Sequence, residues 1–146
     1  MERGVTSSGD GLANMSWNVV GQTYVPEPLS DNAFLWSATI PAETFAPPPI
    51  HPTQDEWIVV LTGDLEIEFH GDVHKAGPGD TVRMPTGEAH GVFNRSGAEA
   101  TCVFGVAPAR KLFDLFVQLD GVTDPEEPVR LSALHEVDFL PPPEDA

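Results

Sequence analysis

The clearest signal in this chain is an alternation of two. Over residues 56–62, Glu56, Ile58, Val60 and Thr62 share one face, while Trp57, Val59 and Leu61 share the other, as in an extended strand. Both faces are largely apolar, so the pattern predicts a strand covered on two sides. Gly63-Asp64 breaks the run. Leu65, Ile67 and Phe69 then alternate with Glu66, Glu68 and His70, and the two runs read as a hairpin. Upstream, residues 17–20 and 34–40 are strand candidates, separated by a loop that holds Pro26, Pro28 and Asp31-Asn32. Downstream, Gly71-Asp72 and Gly77-Pro78-Gly79-Asp80 mark turns. Residues 81–84 form a short strand stopped by Pro85, and 89–94 and 100–106 are two more. Pro47-Pro48-Pro49 lacks backbone donors and predicts a stiff, extended lead-in to His51.

Beyond Pro108 the period changes. Leu112, Leu115, Phe116 and Leu119 fall at helical spacing, which predicts an amphipathic helix over 109–120. A second short helix is expected over 131–137, ahead of Pro141-Pro142-Pro143. Many short strands with turn signals between them predict a sandwich or barrel. The chain therefore reads as all-β, with a short C-terminal helical segment. Residues 1–15 are small and polar and are expected to be flexible. Residues 16–146 are read as a single domain, with no internal repeat at a fixed period.

Composition narrows the partners. Seven basic residues against 23 acidic ones give a formal charge of −16, a surface that repels phosphate backbones and anionic lipid headgroups. Nucleic acid and membrane are excluded as expected partners, and a small molecule is the expected substrate. The apolar run 58–61 is far too short to cross a bilayer. The first residues lack the apolar core of a secretory signal. The single cysteine, Cys102, has no internal disulfide partner; with this, the expectation is a reducing cytoplasm.

The chemistry concentrates in three residues. His51 and Glu56 stand five apart, where a loop enters a strand, and Glu56 shares a face with Ile58 and Val60. A carboxylate on a core face is costly unless it is paired or coordinates a metal. His90 shares its face with Val92, and Gly87 and Gly91 leave room around its ring. Two imidazoles and a carboxylate form the donor set of a three-ligand metal centre, suited to non-haem Fe²⁺ or catalytic Zn²⁺. A buried histidine can equally be a hydrogen-bonded core residue, so residue types alone leave both readings open.

Here the sequence resembles the cupins. Gly79, Pro85, Gly87, His90 and Asn94 fit the family's second motif, G-x5-P-x-G-x2-H-x3-N, at every fixed position. The first motif is matched over residues 49–63 by His51, Glu56 and, after six residues, Gly63. The stretches PTQDEWIVVLTGDLEI and AGPGD, and the FLPPP tail, are similar to small bacterial cupins described as quercetin-dioxygenase-like. The resemblance implies a double-stranded β-helix, a jelly-roll barrel, with motifs at 49–63 and 79–94 and C-terminal helices over about 109–137. It further implies one divalent ion held by His51, Glu56 and His90. Fe²⁺ ranks first for that ion, ahead of Ni²⁺, Mn²⁺ and Zn²⁺.

One departure matters. Where the family has its first motif histidine, this chain has Pro49, which carries no donor. The site then uses three protein ligands and water, recruits Gln54, His70 or His74, or has lost its metal; the first reading is preferred because the other three ligand positions are kept. The resemblance implies a dioxygenase-type oxidoreductase acting on a small apolar, aromatic or enolisable molecule, with Glu56 as catalytic base. The alternatives are a redox-neutral cyclase or isomerase of polyketide type, and a non-catalytic small-ligand binder. A homodimer is expected, using the N-terminal strand and the helix bearing Phe113 and Phe116. The other polar or reactive residues read as structural: His70 and His74 at the surface, His135 outside the motifs, Asn94 in a turn, and Cys102 as inert packing. Trp36 and Trp57 read as core or subunit interface ahead of pocket lining, Met84 and Phe104 as core ahead of the apolar wall of a substrate cavity, and Tyr24 and Arg83 are the candidates for substrate contact.

Overall fold

The computed structural model describes residues 1–46 and 49–139. After a 3-10 turn at Leu12–Asn14 come β1 (Trp17–Val19), β2 (Gln22–Leu29) and β3 (Phe34–Ile40). The short strands β4 (Thr44–Ala46) and β5 (Pro49–Ile50) precede β6 (Asp55–Thr62), β7 (Leu65–Phe69) and β8 (Asp72–Ala76). Then follow β9 (Thr81–Met84), β10 (His90–Asn94) and β11 (Ala100–Ala107). The chain closes with α1 (Leu112–Leu119), α2 (Glu127–Ala133) and β12 (Asp138–Phe139).

The strands assemble into a six-stranded sheet, β1-β2-β3-β11-β6-β9, and a four-stranded sheet, β4-β10-β7-β8. Every pairing is antiparallel. Their inner faces meet in one core. Trp36, Ile40, Ile58, Val60 and Phe104 come from the larger sheet, and Leu65, Ile67 and Val92 from the smaller. The predicted alternation over 56–62 is realised in part. Glu56, Ile58 and Val60 are buried, but Trp57 and Val59 are half-buried and Leu61 is 51% exposed. The outer face of β6 is therefore only partly covered.

The 63–64 turn needs its glycine for two reasons. Gly63 has φ +77, and a Cβ there would meet the Ala100 backbone at 2.8 Å. On the outer face, a Cβ at Gly105 would meet the Trp57 ring at 2.5 Å; the indole lies flat over β11 because that position is bare.

The structure corrects several expectations. The segment with Pro26 and Pro28 is not a loop but part of β2. The ladder to β1 ends at the Trp17–Tyr24 pair, so beyond it β2 has one free edge and the register to β3 shifts between Pro26 and Leu29. Prolines are tolerated on such an edge. Strands β4, β5 and β12 were not foreseen, since two or three residues carry no periodic signal. Pro47, Pro48 and the 140–146 tail lie outside the described residues. The second helix begins at Glu127 rather than 131, because Pro128 sits in its first turn, where a missing N–H costs nothing. Phe116 is not a surface aromatic: it packs against Trp17, Tyr24 and Trp36. Phe113 meets Trp17 and Phe34 edge-on. These rings seat α1 on the larger sheet and are already spent within the chain.

Candidate metal centre

Three elements deliver the chemistry to one end of the core. Glu56 is the second residue of β6, facing inward between Val106 of β11 and Met84 of β9. His51 lies in the loop just before β6, and that loop is tied down by the Gly87 N–H donating to the His51 carbonyl at 2.9 Å. His90 opens β10, opposite Phe69 of β7. Glu56 thus hangs from the six-stranded sheet and His90 from the four-stranded sheet, with His51 on the loop between β5 and β6.

The three side chains converge. His51, Glu56 and His90 are all buried, and one ligand atom from each lies within 4.8 Å of the others. His51 Nε2 is 2.5 Å from Glu56 Oε2, and His90 Nε2 is 3.7 Å from Glu56 Oε1. The two imidazoles are nearly parallel, 7° apart with centroids separated by 5.7 Å. Among the described residues, neither ring nitrogen of His90 has a hydrogen-bond partner. A buried imidazole with both nitrogens unpaired is costly, and a cation between it and Glu56 would relieve that cost. The residues present fit a divalent ion: two imidazole nitrogens and a carboxylate, with ligand atoms within 4.8 Å of one another, are the donor set for Fe²⁺, Ni²⁺, Mn²⁺ or Zn²⁺.

Gln54 is not a substitute ligand. Its Nε2 donates to the carbonyls of Pro108 (2.9 Å) and Ala109 (2.8 Å), which fixes the orientation of the amide. The Oε1 must then face His51 Nδ1, 2.8 Å away, so Nδ1 carries the proton and donates. This leaves Nε2 as the nitrogen directed at Glu56, the arrangement by which a partner behind the ligand sets the tautomer. His70 and His74 are exposed on the β7–β8 hairpin and do not enter. The position of the absent first histidine, Pro49, is buried and lines the cavity.

Electrostatics agrees with the geometry. Burial alone would lower the His51 pKa, but the Glu56 charge, with hydrogen bonds to Glu56 and Gln54, outweighs it and the net shift is upward. Burial would raise Glu56, yet His51 and His90 hold it well below the usual carboxylate range. Each group thus favours the charged form of the other. Cys102, buried and within the field of Glu56, is pushed up to about 12 and is inert as a nucleophile.

Behind the triad lies a small cavity of about 40 Å³. Tyr24, Trp36 and Phe104 form its floor, and Leu112, Phe116 and Phe139 its cover. Of the two candidate substrate contacts, Tyr24 reaches this space, and its hydroxyl donates to Gln22 Oε1 at 2.8 Å. Burial, then Cys102 and Glu56, shift the Tyr24 pKa upward, so it stays a neutral donor. Arg83 is exposed on the outside of β9. No lysine or arginine lines the cavity among the described residues. Met84 packs fully buried, and Trp57 lies over Gly105 on the outer face. Asn94, the last residue of β10, caps the turn that follows: its Nδ2 donates to the Ile40 and Ala98 carbonyls, and its Oδ1 accepts from the Ser96 N–H and hydroxyl. His135 is held by the Leu131 carbonyl and Gln118. The sequence reading missed the hold of Gln54 on His51 and the cavity cover. The spacing of Gln54 between His51 and Glu56 was the available signal for the first; nothing local marks the second.

Residues 36–105 match the family model described as a cupin domain. No curated protein matches the chain. Among solved structures, it is similar to a sugar phosphate isomerase of a cupin superfamily from Silicibacter pomeroyi DSS-3, at 23% identity and TM-score 0.56, over 60% of this chain and 59% of that one. KdgF from Halomonas sp. shares 18% identity at TM-score 0.62, over 69% and 93% of the two chains. An RmlC-like cupin from Shewanella frigidimarina NCIMB 400 shares 12% at TM-score 0.67, over 77% and 96%. At these identities the likeness is one of fold, the double-stranded β-helix.

Proposed function

From a chain that carries a cupin domain over residues 36–105, we propose a metal-dependent enzyme acting on a small apolar or aromatic, enolisable molecule, of dioxygenase type. The observation that carries this reading is the convergence of His51, Glu56 and His90 at the head of a cavity walled by aromatic and aliphatic side chains. His51, through Nε2, Glu56 and His90 would hold the ion. A divalent metal bound there supplies a Lewis acid and, if redox-active, a place for O₂ beside the substrate. The rest of the work falls to the chain. Glu56 accepts the substrate hydroxyl proton as general base. Gln54 keeps the His51 proton on Nδ1, away from the reacting centre. Trp36, Phe104 and Phe116 exclude water and bind the flat, apolar part of the molecule.

The lining also argues against one class. The Silicibacter neighbour is a sugar phosphate isomerase by name, but a phosphate here would meet Glu56 and no lysine or arginine among the described lining residues. A redox-neutral cyclase or isomerase of polyketide type uses the same triad and an equally apolar substrate. A non-catalytic binder uses the cavity alone, a reading favoured by Pro49 in the first ligand position.

Oxygen uptake by Fe²⁺- or Ni²⁺-loaded protein with a flavonol or another enolisable aromatic tests the proposal. Uptake that disappears in a His51→Ala/His90→Ala variant is expected. Turnover under strict anaerobiosis would move the assignment to the redox-neutral class. Failure of the parent to retain Fe, Mn, Ni or Zn under reducing conditions would leave only the binder. The proposal also includes a homodimer formed through the outer face of the six-stranded sheet, where half-buried Leu35, Trp57, Val59 and Val103 adjoin exposed Leu61.

A further inference from the structure

A cavity needs about 10–15 Å³ to hold one water, and one that admits benzene is on the order of 150 Å³. The 40 Å³ behind the triad has room for a few waters and for no aromatic ring. An aromatic molecule that is to reach the triad must first move a wall.

The walls are unequal. Two sides are sheet: β3 pairs with β11 over seven residues, from Ala100–Ile40 to Val106–Phe34, and β6 pairs with both β11 and β9. Displacing them would break ladders and core together. On the cover, α1 is pinned by Leu112, Leu115, Phe116 and Leu119, all buried. Val19 and Val20 also line the cavity, from the end of β1, a three-residue strand paired with β2 and packed under α1 through Trp17 against Phe113 and Phe116; the shortest piece of the cover is β12. It is two residues long and, among the described residues, pairs only with β5, in the register Asp138–Ile50 and Phe139–Pro49, while resting against α2. Apart from that ladder, the Phe139 N–H donates to the Ser132 hydroxyl at 3.1 Å. Phe139 is half-buried and lines the cavity together with its register partner Pro49. Asp138, next to it, is exposed.

We infer that β12 is a strap and Phe139 its gate: the strap lifts off β5 to admit a flat, apolar molecule and closes again with the Phe139 ring over the Pro49 side of the site. This explains a proline at the first ligand position. A donor there would face the ring that seals the cavity, whereas Pro49 offers Phe139 a hydrocarbon surface. The inference shares its cavity with the proposed function but needs no bound ion, so the two can fail separately.

The test pins the strap from outside. Ile50→Cys with Asp138→Cys places two thiols at a register pair, where an antiparallel ladder brings Cα atoms within disulfide reach, and leaves Phe139 and Pro49 in place. The probe is 1-aminoanthracene, a flat fluorescent molecule, added to metal-free protein in stopped flow. The oxidised double variant is expected to bind at least about tenfold more slowly than the same protein after reduction, and parent rates are expected to ignore the reductant. Phe139→Ala, which removes the gate without a cross-link, is expected to bind at least about tenfold faster than parent. Equal rates in oxidised and reduced protein, or a parent-like rate in Phe139→Ala, would overturn the gate. So would failure of both the reduced protein and Phe139→Ala to bind the probe.

Discussion

Replacing Gln54 by leucine keeps the volume of the side chain and deletes its three hydrogen bonds. Two consequences separate cleanly. The Pro108 and Ala109 carbonyls lose the amide that satisfies them; at about 1–3 kcal/mol for a buried group left unpaired, and with one site only partly buried, the fold should lose about 2–4 kcal/mol. His51 loses the acceptor that holds its proton on Nδ1, so its ring can turn or change tautomer. Partners of this kind are worth about 10–100-fold in metal affinity. Competition against a chromophoric chelator measures the second effect, and urea unfolding of metal-free protein the first. Gly105→Ala serves as the control: a Cβ there meets the Trp57 ring at 2.5 Å, so it should cost about 1–3 kcal/mol by overpacking while leaving metal affinity at the parent value. If Gln54→Leu is folded and binds metal within about twofold of the parent, far short of the 10–100-fold loss, the claim that Gln54 orients His51 is wrong.

Three further outcomes are expected. In metal-free protein the raised pKa of His51 gives stability that is complete below its unfolded value of 6.5 and fades as pH climbs through the folded value. The lowered pKa of Glu56 gives stability that is complete above 4.5 and fades as pH falls through the folded value. Thermal midpoints should therefore peak between those limits, and His51→Ala should flatten the alkaline limb; an unchanged limb would deny the ion pair. Asn94→Ala removes four hydrogen bonds from a fully buried site and should cost about 2–4 kcal/mol in urea unfolding without altering metal affinity. Light scattering should give twice the chain mass, and Leu61→Asp with Val59→Asp should reduce it to one; a parent that is already monomeric would end the dimer proposal.

What could be read from the sequence followed how local each signal was. The β6–β7 hairpin was legible because Gly63-Asp64 interrupts a strict alternation, and β9, β10 and β11 because glycine and proline bracket them. Glu56 stood out by its chemistry, a charge in step with Ile58 and Val60. That His51 and His90 would meet it required the family resemblance, since no spacing rule places residues from two different sheets together. The course of β2 was hidden by its prolines, whose meaning depends on β1 ending at the Tyr24 pair. The pairing of β5 with β12 was hidden more deeply. Its partners stand almost ninety positions apart, and each is too short for periodicity to register. For the same reason Phe139 could not have been named as part of the cavity.

The placement of the triad across both layers has a mechanical side. Glu56 belongs to the six-stranded sheet, His90 to the four-stranded one and His51 to the loop that enters β6, so a cation gripped by all three would be a rivet through the sandwich. Extracting the ion with a chelator would free the layers to splay there, and resistance to heat would rise with metal concentration as mass action requires.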